Sequence, residues 1–373
     1  MNHRILFVGL GNLGSLMLDL FLRIPGKHQF LVGGRQPDRL QPRVNLSLLS
    51  ALQLGYTPEV GCRFLDLNNI EQVAETIAQF QPTIVVCAAT RQRLGGAQHL
   101  PQSLAAQLAR APMGPRLPLH LSLVYKLMQA VKLSETKPLV LNAIYPDVIH
   151  PILQKVGLAP TTGVGDLANN VPAIKLALAS YVNQPLEQVD VRLIMARAVS
   201  YRMSRASIKG LPFHITLLGN GEDITPQVDV DQVFKALLTT FRRTGGDTGL
   251  LMTAASAMAV FNGMVKDTHE ILHAPGPCGL PGGYPVAVHA QGIDIALPRQ
   301  IHMHKALLIN QSGLRLDGIE GIEEDGTVVF TDEAMTLYRD MLGYECNRMP
   351  LSETEEWATE LQERYLTLAS LSQ

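Results

Sequence analysis

The chain has 373 residues, 46% of them hydrophobic and 17% charged, and its 31 Lys and Arg against 33 Asp and Glu leave a formal charge of −2. That apolar content excludes a mostly disordered chain, and the near-neutral balance excludes the broad basic field of a nucleic-acid binder. The length predicts two domains or more at about 100–200 residues each. Cys62, Cys87, Cys278 and Cys346 are scattered with no CxxC pair, which fits a reducing compartment, so a cytoplasmic protein is expected.

In chain order, Arg4–Val8 reads as a strand, followed by a glycine turn and a helix over Ser15–Arg23. The apolar run from Ile5 to Leu22 is broken by Gly9, Gly11, Gly14 and Asp19, with no small-residue cleavage site after it, so it is not read as a signal peptide. No membrane span is expected, because no uninterrupted apolar run reaches 18 residues. Further strands are predicted at Phe30–Val32, Arg63–Leu65, Ile84–Cys87 and Leu139–Leu141. Helices are predicted near Ser47–Leu54 and at Ile70–Phe80, Leu119–Val131 and Asp147–Val156. This alternation implies an α/β fold with a parallel, doubly wound sheet. Beyond Thr161–Asp166 and a helix at Val171–Val182 the pattern changes to a second, α+β domain. Its predicted parts are strands at Val189–Met195 and His214–Leu218, a helix at Val230–Arg242 and a long apolar stretch over Thr248–His273. An irregular Gly/Pro segment, Ala274–Pro285, follows. Val286–Leu297 and Ile301–Asn310 read as strands, and two helices close the chain. The expected division is 1–165 for the dinucleotide domain, 166–320 for a substrate and dimerisation domain, and 321–373 for a helical segment.

The turn Gly9-Leu10-Gly11-Asn12-Leu13-Gly14 has GxGxxG spacing between a strand and a helix. Its first glycine permits a tight turn, its second lets a pyrophosphate approach the backbone, and its third lets helix and strand pack closely. At the end of the second strand, where an NAD site carries an acid, the chain has Gly33-Gly34-Arg35, with Arg39 and Arg43 beyond. A guanidinium there can pair with a 2′-phosphate, so NADP is expected over NAD. Asp66 can reach the adenine amine or cap the next helix, and the small residues Ala88, Ala89 and Thr90 leave room for a cofactor across the strand ends.

With GLGNLG, the GR-ended second strand, LDLNN and IVVCAAT, residues 1–90 resemble the NAD(P)-binding segment of saccharopine-dehydrogenase-like proteins. That resemblance implies a Rossmann domain joined to a substrate domain, in an oxidoreductase of amino or imino acids. The order of Asn142, Asp147 and GVGDLANN is also similar in layout to lactate and malate dehydrogenases. The similarity implies that Asn142 lies near the nicotinamide ribose. The histidine which that family uses two elements later is absent, the strand reading Met195-Ala196-Arg197-Ala198.

A hydride-transfer enzyme needs a proton carrier beside the reacting carbon and a cation for an acidic substrate. Tyr145 and Asn142 are expected beside the nicotinamide, Asp147 as a cap of the following helix, and His150 as a proton carrier or a structural histidine. Arg197, Arg202 and Arg205 are candidate carboxylate clamps, and Tyr284, in the GLPGGYP loop, a candidate hydroxyl donor. His269-Glu270-Ile271-Leu272-His273 spells HExxH, which on a helix would bind zinc; without metal, His269 or His273 is a candidate catalytic histidine. No metal is assigned. The expected function is an NADP(H)-dependent oxidoreductase for a small amino, imino or hydroxy acid, a homodimer with no nucleic-acid or membrane partner. The alternatives are a non-catalytic dinucleotide sensor and a zinc hydrolase.

Overall fold

Short β-branched and aromatic runs that are buried along their length make the centre of the molecule, as in β1 (Arg4–Val8), buried from Ile5 onward, and the wholly buried β4 (Ile84–Cys87). The computed structural model describes residues 2–91 and 102–370. Its first half runs β1, α1 (Asn12–Phe21), β2 (Gln29–Gly34), α2 (Pro37–Gln53), β3 (Glu59–Phe64), α3 (Ile70–Phe80), β4, α4 (Gln102–Arg110), α5 (Leu117–Leu133), β5 (Leu139–Asn142), α6 (Pro146–Lys155) and β6 (Thr162–Gly163). These strands form one six-stranded sheet in the order β3-β2-β1-β4-β5-β6, every neighbouring pair parallel. The order reverses between β1 and β4, the place where such sheets take ligands at their carboxyl ends. The expected α/β Rossmann sheet is therefore present.

The second half runs α7 (Val171–Val182), β7 (Val189–Ile194), α8 (Arg197–Met203), β8 (His214–Gly219), β9 (Glu222–Asp223), α9 (Val230–Leu238), α10 (Gly246–Lys266), β10 (Glu270–Pro275), β11 (Gly283–His289), β12 (Gly292–Ile295), α11 (Met303–Leu316), β13 (Ile319–Ile322), β14 (Val328–Phe330), α12 (Asp332–Leu342), β15 (Arg348–Met349) and α13 (Thr354–Ser370). Its strands make three small antiparallel sheets, β7-β8-β9, β10-β11-β12 and β13-β14-β15.

One face of the parallel sheet is covered by α1 and by α10, where Phe21 and Phe261 stack at 4.2 Å and 5°. The other face lies under α3 and α5, with the C-terminal residues Leu342, Ala358 and Leu361 continuing the same core. By length and mean hydropathy α10 could cross a membrane; here Ala254, Ala257, Phe261 and Met264 are buried against the sheet layer.

Three expectations are corrected. The long apolar helix stops at Lys266, where Asp267 turns left-handed, and residues 270–275 become a strand paired with β11. The Gly/Pro segment 274–285 contains the end of β10 and the start of β11. Ile301–Asn310 is not a strand: Ala306, Asn310, Gly313 and Leu314 are buried at helical spacing, and the stretch begins α11.

Candidate dinucleotide and substrate site

At the carboxyl ends of β1, β2 and β4 the glycine turn opens α1. Gly9 has φ +96°, and a Cβ on it would run into Ala88 and Ala89; one on Gly14 would run into the Gly9 carbonyl. Gly11 differs, since a Cβ there would meet nothing within 4 Å. The turn is thus closed on two sides and open on the side where a pyrophosphate would approach. No side chain caps the N-terminus of α1, and its first turn carries no acid. A cavity of about 420 Å³ starts at this turn and runs past Gly34, Arg35 and Arg39 on one side and Ala89 and Thr90 on the other. Asp66 lies on its wall, and its carboxylate also accepts the Asn68 backbone N–H at 3.1 Å.

A second cavity, of about 700 Å³, adjoins the first, and Leu13, Thr90, Ile144 and Leu250 line both. Its inner wall carries His120, Tyr145, Asp166 and Arg197. Tyr145, with φ 41°, precedes Pro146 at the start of α6. Asp166, with φ 49°, follows Gly165, which is seated on Thr253 of α10. Two non-glycine residues held left-handed on one cavity wall store backbone strain of the kind found at functional sites.

Three carboxyls lie around Arg197 at this wall, and one of them holds its guanidinium. Arg197 makes a bidentate pair with Asp317, which is 2% exposed, through Nε at 2.8 Å and through Nη2. Asp147 is fully buried; its Oδ2 accepts the Arg197 backbone N–H at 2.6 Å, so it caps α8 rather than its own helix. The Asp166 carboxyl lies next to that of Asp147. Burial pushes Asp147 well above the usual carboxylate range, and burial raises Asp166 to about 6 against the pull of Arg197. Burial likewise drives the Tyr145 hydroxyl up, and burial with nearby Arg116 and Arg197 holds His120 neutral down to about 3. The His120 Nδ1 sits 3.0 Å from the Thr90 hydroxyl.

The outer wall is cationic. Arg205, Arg242 and Arg243 line it beside the N-terminus of α10, and among the described residues none of the three has a carboxylate within salt-bridge distance. Arg205 lies 3.6 Å over the Tyr201 ring, while Arg243 donates to the Asn169 carbonyl and, at 2.5 Å, to Asn170 Oδ1. Burial and the neighbouring Arg205 both lower the pKa of Arg243.

No family model and no curated protein matches the chain. Solved structures do. Lactate dehydrogenase from Eimeria maxima with NADH and oxamate is 12% identical at a TM-score of 0.56, over 84% of this chain and 92% of its own. Lactate dehydrogenase from Cryptosporidium parvum, with lactic acid and nicotinamide adenine dinucleotide, is 14% identical at 0.56, over 85% and 98%. Malate dehydrogenase from Plasmodium falciparum with NADH is 12% identical at 0.53, over 84% and 96%. The likeness is one of fold.

Of the residues singled out from sequence, the glycine turn, Asn12, Leu13, Gly34, Arg35, Asp66, Ala88, Ala89 and Thr90 line the first cavity, and Tyr145 and Arg197 the second. Arg197 is not an available clamp, since Asp317 already occupies its guanidinium. Arg43 is drawn away from the cavity to Asp19, at 2.6 Å. Asn142 and His150 are buried in each other's company: the Asn142 amide meets His150 Nε2 at 3.0 Å, and His150 Nδ1 meets the Gly276 carbonyl at 2.7 Å. They fasten the β5–α6 turn to the β10–β11 loop, which accounts for both without a role in proton transfer. Arg202 is exposed and bonds the Ser207 carbonyl, and Tyr284 is fully buried beside Ile194 and Ile301. The HExxH residues lie on and just before a strand, where positions four apart are separated by about 13 Å, too far to share a metal. His269 is exposed against His289, and buried His273 accepts the Leu193 N–H at 3.0 Å. Among the described residues no three His, Cys, Asp or Glu side chains gather as a metal site.

Arg205, a carboxylate-clamp candidate from the sequence, lines the second cavity; sequence reasoning missed His120, Asp166, Arg242 and Arg243. Only Asp166 carried a local signal, an acid directly after the glycine-flanked end of β6.

Proposed function

We propose that the chain is an NADP(H)-dependent oxidoreductase for a small carboxylate-bearing substrate, of the hydroxy-acid and oxo-acid class. The observation that carries this reading is the junction of the two cavities: a dinucleotide with its pyrophosphate at Gly11 extends toward the shared wall at Thr90 and Ile144, and so toward Tyr145 and Asp166. The cofactor, when bound, supplies or takes the hydride. The chain's own residues bind it at α1, leave room for it at Ala89, and present proton-bearing groups to the second cavity. Those groups favour an enzyme over a dinucleotide sensor, which would need no titratable wall.

NADP is favoured over NAD because the end of β2 offers Gly33, Gly34 and Arg35 and no acid, with Arg39 on the same wall. The saccharopine-dehydrogenase-like features of residues 1–90 support the same half of the reading. An anionic substrate is favoured because the unneutralised Arg205, Arg242 and Arg243 surround the way in, and electrostatic attraction there raises both affinity and encounter rate. The dehydrogenases of like fold bind oxamate and lactic acid, small carboxylates of this class. The test is a panel of 2-oxo acids and imino acids with NADPH, followed by loss of absorbance of the reduced dinucleotide. Turnover of a 2-oxo acid is expected, and turnover confined to uncharged aldehydes would refute an anionic substrate.

A further inference from the structure

Asp147 Oδ1 is buried, and no N–H or hydroxyl donor among the described residues reaches it. The Asp166 carboxyl lies beside that of Asp147. Two carboxylates in contact in a buried place repel unless a proton sits between them, as in carboxylate dyads generally. The charged surroundings deepen this requirement: Asp317 adds a third acid, Arg197 is the cation facing all three, and the neutral hydroxyls of Tyr145 and Tyr284 complete the shell.

The other groups on the cavity wall are poor proton carriers. Arg197 is locked as a cation by Asp317, the Tyr145 hydroxyl keeps its proton, and His120 stays neutral. Asp166 alone combines a place on the wall with a partner that can hold its proton in reserve.

Resting on the reading of the chain as a hydride-transfer enzyme, we propose that Asp166 exchanges the proton that accompanies hydride transfer, and that Asp147 is the positioning residue which retains that proton at the wall. In the reducing direction the carbonyl carbon accepts the hydride from the reduced dinucleotide as the C=O π bond breaks. The Asp166 O–H bond breaks and its proton forms the new O–H of the alcohol. Asp166 is left as a carboxylate and recovers a proton from solvent; oxidation runs the same steps in reverse.

Infrared titration of the chain without substrate tests this directly. The wild type is expected to show a carboxylic-acid C=O component that titrates around pH 6, D166N is expected to lose that titrating component, and D147N is expected to shift its midpoint. With the best 2-oxo acid of the panel, D166N should lose about 10²–10⁴-fold in kcat while keeping its NADPH affinity, as general acid–base residues do. D166E should recover part of the loss, and D147N should displace the acidic limb of the pH profile with a smaller loss. Dinucleotide binding without the titrating band, or wild-type kcat in a folded D166N, overturns the proposal. A titrating band in a chain that binds neither NADPH nor NADH would overturn the hydride-transfer reading instead.

Discussion

Arg35 owes its importance to what stands beside it. Gly33 cannot carry a side chain because a Cβ would press on Leu65, so no acid fits there, and Gly34 leaves the exposed guanidinium of Arg35 on the wall of the first cavity. A charge-assisted contact to a phosphate is worth about 1.5–3 kcal/mol. R35A is therefore expected to weaken NADPH binding about 10- to 100-fold and to leave NADH binding nearly unchanged, measured by fluorescence titration. Equal losses for both dinucleotides would remove the 2′-phosphate role. The glycines of the turn allow a sharper contrast. G14A forces a Cβ against the Gly9 carbonyl and should lower stability as well as binding. G11A meets open space, and should keep the melting temperature while losing dinucleotide affinity. If G11A bound NADPH as well as the wild type, the pyrophosphate would lie elsewhere.

The helix α10 links the two halves of the site. Its buried face stacks Phe261 on Phe21 of α1, behind the glycine turn, while Thr253 and Ser256 support the loop that carries Asp166. Asp247 in its first turn accepts the Asn12 side-chain N–H at 3.0 Å, joining the start of α10 to the start of α1. F261A should cost about 3–5 kcal/mol, the usual range for a large-to-small change in a core, read by urea unfolding. A cost below about 1 kcal/mol would mean that α10 is only loosely seated on the sheet.

Element by element, legibility followed how local each cause is. The glycine turn and the strands of the parallel sheet were readable because φ restrictions and runs such as IVVC act within a few residues. The HExxH stretch read as helix because its own residues permit one, but pairing of Glu270–Pro275 with Gly283–Val288 decides the matter from a distance. The same holds for the site. Arg205, Arg242 and Arg243 meet only because α8 and the α9–α10 connection are folded onto one cavity, and the fate of Arg197 depends on Asp317, 120 residues away. Asp147 reads as a cap of α6 from its position after Pro146, yet it caps the distant α8 instead.

Across the molecule, three buried histidines set the response to acid. His120, His150 and His273 are held neutral to about 3, 4 and 3, chiefly by burial, whereas in the unfolded chain each ionises near the ordinary 6.5. Below pH 6.5 the unfolded state therefore binds more protons, and stability present above that pH is lost as it falls toward 4. Each histidine contributes about 1.4 kcal/mol per pH unit within the window. The raised carboxyls Asp147 and Asp166 act in the opposite direction, since folded Asp166 takes up a proton as pH falls to about 6 and buried Asp147 holds its proton well above the usual carboxylate range. Three histidines outweigh the pair, so a net loss is expected in urea unfolding between pH 6.5 and 4. H273N should show a shallower slope by one histidine's share, and parallel profiles would contradict the assignment.

Calorimetric titration of the purified chain with NADPH and NADH, for wild type and G11A side by side, bears most directly on the reading as a whole. One NADPH per chain, bound more tightly than NADH and weakened in a folded G11A, is the predicted result. Absence of binding by either dinucleotide to the folded wild type would contradict it.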